Sequence, residues 1–106
     1  SPAPHRNFDA LSGVPADVRD DHGNTILLVA CQNGHKRALK AALRRGADIN
    51  ARNARGNTAL HFCYAFGYGD TLGRYLVDKG ASSSIRNRSG MVRVYRYTVH
   101  DVRKVL

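Results

Sequence analysis

The sequence has no tryptophan and no glutamate, and its two cysteines, Cys31 and Cys63, are too few for a scaffold built on disulfides. So few cysteines favour a reducing compartment, and we expect an intracellular protein, cytoplasmic or nuclear. No stretch approaches the roughly 18 consecutive apolar residues that a membrane-spanning helix needs. The first residues, SPAPHR, lack an initiator methionine and the apolar core of a signal peptide. We therefore expect this chain to be a segment of a longer one.

The balance of charge is strongly basic because aspartate is the only acidic residue. The chain has 17 lysines and arginines against 8 aspartates, a formal net charge of +9, and arginine outnumbers lysine 13 to 4. Such an excess has two interpretations. It reflects a compositional bias of the source genome, or it serves an acidic partner or nucleic acid.

The sequence offers no arrangement typical of catalysis or metal binding. The five histidines show no metal-ligand spacing such as H-x-x-x-H, and the serines at 82–84 and 89 have no histidine nearby in sequence. The aspartates fall at predicted turns and helix ends, where turn chemistry explains them. The sequence therefore predicts no enzyme activity, no cofactor and no metal site.

An internal repeat organises the chain. The stretch RRGADINARNARGNTALH, Arg44 to His61, ends one helix with a glycine, passes through an extended hairpin and opens the next helix. Four of its positions have counterparts 33 residues upstream, pairing Gly46 with Gly13, Asn53 with Asp20, Gly56 with Gly23 and Thr58 with Thr25. A third start, with Gly80-Ala81, Arg86-Asn87 and Gly90, follows 34 residues after the second. Self-similarity at this period predicts a solenoid.

These residues resemble the ankyrin repeat, whose unit reads roughly D-x-x-G-x-T-P-L-H-x-A-x-x-x-G-H and closes with L-L-x-x-G-A-D-V-N. The opening is matched by Asn53, Gly56, Thr58, Leu60 and His61, and the close by Arg45 to Asn50. The departures are Ile26 and Ala59 in place of proline, Leu28 in place of histidine, and one residue inserted between Gly67 and Leu72. The resemblance covers about Leu11 to Gly90. It implies an all-α repeat solenoid of helix-turn-helix units joined by short β-hairpin loops.

The repeat register divides the chain into five segments. We expect a disordered segment at 1–6, a partial or capping repeat at 7–20, complete repeats at 21–53 and 54–87, and a degenerate repeat or cap at 88–106. In the partial repeat, Phe8 and Leu11 would face the next unit. After Gly90 the pattern is lost, and strand-like alternation over Val92 to Val99 and a short helix from His100 are both consistent with the sequence.

Periodicity and capping residues predict the helices of the complete repeats. Thr25 should cap a helix that ends near Asn33, and a second helix should run over Lys36–Arg44, with a positive φ at Gly23. We expect the inserted residue to widen a turn and loosen the start of the last helix. The residues predicted to pack inward are Ile26, Leu27, Val29, Ala30, Phe62, Cys63, Leu72, Tyr75, Leu76 and Val77. The two cysteines should lie on different faces of neighbouring helices.

The resemblance implies a non-catalytic protein-interaction module, with hairpin tips and first helices lining a concave face. The matching positions here are Arg19, Asp21, His22, Asn24, Gln32, Asn33, Arg52, Arg55, Asn57, Ala65, Phe66, Arg86 and Arg88. His61 should be structural, its imidazole bonding Thr58 and nearby backbone.

The charge pattern leaves the nature of the partner open. Arg19, Arg52 and Arg86 should align in an exposed column that suits carboxylate or phosphate, or they only space the hairpins and stay solvated. We expect a protein partner, and the net charge favours an acidic one. The alternative is a nucleic-acid-associated domain that binds the phosphate backbone non-specifically. The basic side of the second helix, formed by Lys36, Arg37, Lys40, Arg44 and Arg45, is most simply a solvated face.

Overall fold

The structure is a computed structural model and describes residues 13–92. Within them lie four α-helices and one π-helical turn: α1 (Ile26–Gln32), α2 (Lys36–Arg44), α3 (Ala59–Ala65), a π-helix (Gly69–Gly73) and α4 (Arg74–Asp78). Helix α1 packs against both α2 and α3, so two helix-turn-helix units lie side by side. The predicted all-α repeat solenoid is confirmed. The expectations for residues 1–12 and 93–106 lie outside the described residues.

Both first helices begin at a buried threonine. The Thr25 hydroxyl accepts a hydrogen bond from the Leu28 amide at 3.3 Å, and Thr58 accepts one from the His61 amide at 3.4 Å. These bonds use amides that have no partner within the helix, so they fix where α1 and α3 start. The predicted cap at Thr25 is confirmed, as are the predicted bounds of α2.

Three hairpin turns repeat one backbone pattern. The glycine at each tip donates its amide to the carbonyl three residues earlier and has a positive φ, +78° at Gly23, +78° at Gly56 and +82° at Gly90. Only glycine adopts this conformation without steric cost. The third turn is closed by the Asn87 amide, which donates to the Met91 carbonyl at 2.7 Å. The structural repeat therefore extends one residue beyond the point where the sequence pattern is lost.

The core lies between the two helical layers and is built from leucines. Its largest fully buried apolar side chains are Leu27, Leu28, Leu39 and Leu76. Two residues predicted to face inward do not: Val29 is 38% exposed and Val77 is 46% exposed. Phe62, like Ile26 and Tyr75, is half-buried and packs against the core. Val29 and Phe62 occupy equivalent positions, on the part of a first helix that borders the open side of the array.

The inserted residue lies inside a helix. The Gly73 amide donates to the Tyr68 carbonyl at 2.9 Å, a bond across five residues that marks the π-helix Gly69–Gly73. This differs from the widened turn predicted from the sequence. Gly69 makes the arrangement feasible, because a Cβ atom there would lie 2.6 Å from the ring of Tyr64. The longer spacing of the second repeat is thus absorbed as one wide helical turn.

The thiols of Cys31 and Cys63 meet in the core, so the prediction that they lie on different faces is wrong. Both are free and fully buried, and the Cys31 side chain is hydrogen-bonded to Cys63. That hydrogen bond and burial raise the pKa of the Cys31 thiol. Side-by-side packing of α1 and α3 brings together positions that are not equivalent in the repeat. The raised pKa keeps the Cys31 thiol protonated, and burial shields both thiols from reagents in solvent.

Candidate functional site

The predicted arginine column exists, and its guanidinium groups bond the hairpins to one another. Arg19, Arg52 and Arg86 each donate to the carbonyl four residues later in their own hairpin, at 2.7, 3.4 and 2.9 Å. Arg19 also donates to the carbonyl of Arg52 at 2.7 Å, and Arg52 to the carbonyl of Arg86 at 3.0 Å. Arg19 and Arg52 therefore each tie their own turn to the next one along the array, while Arg86 bonds within its own turn.

These hydrogen bonds reduce the number of arginine donors that the column can offer to a partner. The side chains are exposed, as expected for aligned like charges. Part of their donor capacity is nevertheless committed to backbone carbonyls, which supports the interpretation that the arginines hold the hairpins at a fixed spacing. A charge reversal in the column would place a carboxylate beside those carbonyl oxygens and so act on the fold as well as on any partner.

A second series of hydrogen bonds between hairpins, which sequence reasoning missed, runs through asparagines. We call this series and the bonds of the arginine column the two ladders. The Oδ1 atom of Asn53 accepts the amides of Arg55 and Asn57 at 3.0 and 2.9 Å, while its Nδ2 donates to Asn24 Oδ1 at 2.9 Å. Asn87 repeats the last contact, donating to Asn57 Oδ1 at 2.8 Å. The signal in the sequence is the series Asp20, Asn53 and Asn87 at the repeat spacing.

Asp20 opens that series with a carboxylate in place of the amide. Its Oδ1 accepts the amides of His22 and Asn24 at 2.8 and 2.9 Å, and its Oδ2 accepts Asn24 Nδ2 at 3.2 Å. These bonds, with that from the Asn24 amide the largest contribution, hold the pKa of Asp20 below its ordinary value. These bonds therefore hold the first hairpin tip most firmly when Asp20 is ionised.

His61 is fully buried and joins the second repeat to the third hairpin. Its Nδ1 accepts the Thr58 amide at 2.9 Å and lies 2.8 Å from the Thr58 hydroxyl. Because Nδ1 accepts, the proton lies on Nε2, which donates to the Met91 carbonyl at 3.0 Å. The structural role predicted for this histidine is confirmed.

An open groove of about 380 Å³ separates the first two hairpins from the helices behind them, and we call it the concave groove. It brings together these residues from the predicted set: His22, Asn24, Gln32, Arg55, Asn57, Ala65 and Phe66. Asn53, Ala54 and Phe62 complete its lining. The ladders of arginine and asparagine fix the spacing of the two hairpins, and therefore the width of this groove.

The concave groove combines an aromatic floor with a polar rim. The rings of Phe62 and Phe66 meet edge to face, with centroids 5.9 Å apart and planes at 84°. Phe66 is 40% exposed. His22, Gln32 and Arg55 are exposed around the aromatic pair, and no residue that lines the groove is acidic. Such a site can take an apolar side chain while pairing an adjacent carboxylate.

Other residues of the predicted set lie elsewhere. Arg19 and Asn33 join Asn24 in a second, more apolar groove of about 470 Å³ beside α1, with Val18 and Val29 in its walls. Four residues line neither groove: Asp21, Arg52, Arg86 and Arg88. All four are exposed. The structure thus divides the predicted site into the concave groove, the second groove and the outer edge of the hairpins.

Among residues 13–92, no group of three or more histidine, cysteine or carboxylate side chains is placed to hold a metal ion. None of the helices described combines the length and apolar character needed to cross a bilayer.

The chain matches known sequences over most of its length. A family model described as ankyrin repeats, in 3 copies, matches residues 6–87. SH3 and multiple ankyrin repeat domains protein 2 of Homo sapiens is 38% identical over 69 residues, 65% of this chain and 4% of that protein. Ankyrin repeat-containing protein P1E11.10 of Schizosaccharomyces pombe is 30% identical over 82 residues, 76% of this chain and 38% of that protein. Protein fem-1 homolog A-like of Mus musculus is 47% identical over 47 residues, 44% of this chain and 7% of that protein. The chain therefore spans a minor part of each of these relatives.

Proposed function

Because the chain belongs to the ankyrin-repeat family, we propose that it is a non-catalytic protein-interaction module that binds its partner in the concave groove. Ankyrin repeats in general bind other proteins, and the fold presents rigid hairpins and first helices for that purpose. What is proposed for this chain is the face, the anchoring residues and the preference for an acidic partner.

The observation that carries the proposal is the aromatic pair in the floor of the groove. Phe66 leaves 40% of its surface exposed where a core position would bury it, and Phe62 supports it edge to face. Binding energy at protein interfaces concentrates in such aromatic anchors when a polar rim excludes water around them. His22, Gln32 and Arg55 supply that rim.

The charge of the groove supports an acidic partner. Arg55 is the basic residue of the lining, and none of its neighbours in the groove is acidic. The chain as a whole carries +9, which attracts an acidic surface over a distance and raises the rate of encounter. A partner segment with an apolar side chain next to an aspartate or glutamate fits both features.

The two ladders prepare the groove for binding. Hydrogen bonds from Arg19 to Arg52 and from Asn53 to Asn24 fix the first two hairpins before any partner arrives. A surface already ordered loses little conformational entropy on association. The groove should therefore bind without rearrangement of its backbone.

The proposal is tested by proximity cross-linking in a cell extract with two groove variants, Phe66→Ser and Arg55→Glu. The matched controls are Val77→Ser, an exposed apolar side chain on α4, and Arg74→Glu, an exposed arginine on the same helix. We expect each groove variant to lose the captured proteins by about tenfold or more, with the controls close to the parent chain. Equal capture by groove variants and controls would remove the concave groove as the site.

Nuclease treatment of the same extract tests the alternative that the chain binds nucleic acid. The net charge of +9 favours a nucleic-acid-associated domain if affinity comes from counterion release alone. We expect capture to survive nuclease. Capture that disappears with nuclease, and that falls equally in Arg55→Glu and Arg74→Glu, would replace the protein-binding proposal by the nucleic-acid one.

A further inference from the structure

Three lysine ammonium groups converge on one tyrosine ring on the second-helix side of the array. The Nζ atoms of Lys36, Lys40 and Lys79 lie 5.6, 5.4 and 5.6 Å from the centre of the Tyr75 ring. Lys36 and Lys40 are one turn apart on α2, while Lys79 caps the C-terminus of α4, the helix that carries Tyr75. These four residues form what we call the lysine cluster.

The composition of the chain makes this convergence notable. Only 4 of the 17 basic residues are lysine, and three of those four meet around Tyr75. The arginines of the column bond backbone carbonyls, which suits their fork of donors. A lysine ammonium is a compact point charge with three rotatable donors, the form that binds a phosphate without a fixed approach direction.

On its α2 side, the lysine cluster concentrates positive charge that the helix itself does not neutralise. Helix α2, with sequence KRALKAALR, has four basic residues and no acidic one. The face of the Tyr75 ring attracts each ammonium group and so offsets part of their mutual repulsion. Like charges held this close favour binding of an anion, because its charge acts on all of them at once.

A hollow of about 370 Å³ adjoins the lysine cluster. Lys40, Tyr75 and Lys79 line it, and Arg44 adds a third positive charge to the lining. Leu43, Ala47 and Ile49 complete the lining, which contains no carboxylate. The volume is in the range of small-ligand sites.

We propose that the lysine cluster binds a compact, multiply phosphorylated headgroup of the inositol polyphosphate kind. The three ammonium groups lie within 5.6 Å of one point, and this compact set of charges matches a small ligand with several phosphates better than a nucleic acid, whose charges follow an axis. The site is separate from the concave groove and independent of the function proposed for it.

The test is a calorimetric titration of inositol hexakisphosphate into the chain at physiological salt. The variant Lys36→Gln/Lys40→Gln/Lys79→Gln removes three charges from the cluster. The control Arg55→Gln/Arg74→Gln/Arg88→Gln removes three charges from exposed positions outside it. We expect the lysine variant to bind at least about tenfold more weakly and the control to change by about twofold or less. Equal losses in the two variants, or no binding by the parent chain, would overturn the proposal.

A footprint on the parent chain tests the site without any substitution. Bound inositol hexakisphosphate should slow acetylation of Lys36, Lys40 and Lys79 together, and Lys104 serves as the internal reference. Protection that is the same at all four lysines would mean binding by bulk charge and would contradict the proposal.

Vesicles distinguish the two sources of such a headgroup. The headgroup would be assigned to a lipid if the parent chain bound vesicles that contain phosphatidylinositol 4,5-bisphosphate but not phosphatidylserine vesicles of equal charge, and if the lysine variant lost that binding. Binding of the soluble compound alone would assign it to a free inositol polyphosphate, and both results support the site. A short RNA that outcompetes inositol hexakisphosphate and binds both triple variants equally would show that the cluster has no preference and would overturn it.

Discussion

The Nε2 atom of His61 lies 3.0 Å from the carbonyl oxygen of Met91, thirty residues further along the chain. This bond attaches the third hairpin to the middle of the array through a buried side chain. The equivalent residue of the first repeat is Leu28, which is fully buried and has no side-chain donor. The two interfaces between hairpins are therefore built differently, although both share the asparagine contact.

Loss of the His61 side chain should be costly. In His61→Ala the Thr58 amide loses its partner, the Met91 carbonyl keeps only the Asn87 amide, and a cavity replaces a fully buried ring. We expect the free energy of unfolding to fall by about 2–5 kcal/mol in a urea titration. His22→Ala, at an exposed position, is the control and should change it by about 0.5 kcal/mol or less. Similar values for the two variants would contradict the role given to His61.

Alanine substitutions at two glycines should distinguish the cost of backbone strain from the cost of a steric clash. Gly46 and Gly56 both have a positive φ, but a Cβ at Gly46 would meet nothing within 4 Å, whereas at Gly56 it would lie 2.9 Å from the Arg88 amide nitrogen. We expect Gly46→Ala to cost about 1–2 kcal/mol from the left-handed conformation alone. Gly56→Ala should cost at least about 1 kcal/mol more, because two hairpins must separate. Thermal melts that rank the variants the other way would refute the hairpin stacking.

Asp20 should make part of the stability depend on pH. Its pKa is held below the ordinary value, so the folded chain favours the carboxylate and the unfolded chain takes up a proton first as pH falls. The contribution is present at neutral pH and is lost as pH falls through the folded pKa. In Asp20→Asn, stability should decline less steeply below about pH 4, the ordinary range of aspartate. Asp21→Asn, which removes the same charge from the adjacent exposed position, is the control, and an identical pH profile for the two variants would exclude this role.

Much of the fold could be predicted because each repeat carries its own local signals. Thr25 and Thr58 cap helices through a hydroxyl, and Gly23 and Gly56 take a positive φ, and neither feature depends on distant packing. Seven of the ten residues that line the concave groove could be named in advance for the same reason, whereas Asn53, Ala54 and Phe62 were missed. Register alone places hairpin tips and first helices on one side.

What could not be predicted depends on how neighbouring elements pack. One extra residue after Gly67 fits a loop or a π-helix equally well in sequence, and the approach of the Tyr64 ring to Gly69 is what distinguishes them. Val29 and Val77 are as apolar as core residues, so their residue type does not show that they are exposed. Helical periodicity does not show it either, because a short helix with neighbours on two sides has no single buried stripe. The hydrogen bonds of the arginine column could not be predicted, because the sequence does not show which backbone carbonyls lie within reach of each guanidinium group.

The cysteine pair permits a prediction about access to the core. Cys31 and Cys63 are fully buried in contact with each other, and the pKa of Cys31 is raised by that contact and by burial. Since a disulfide reagent reacts with thiolate, both cysteines should be modified only when the chain unfolds. Leu60→Ala, which removes a core side chain 3% exposed, should cost about 2–5 kcal/mol and speed the modification at least about thirtyfold. Phe66→Ser, at the surface of the concave groove, is the matched control and should leave the rate near that of the parent chain. Rapid modification that does not respond to Leu60→Ala would place the thiols within reach of solvent, and a melting temperature that falls on addition of reductant would mean that they form a disulfide.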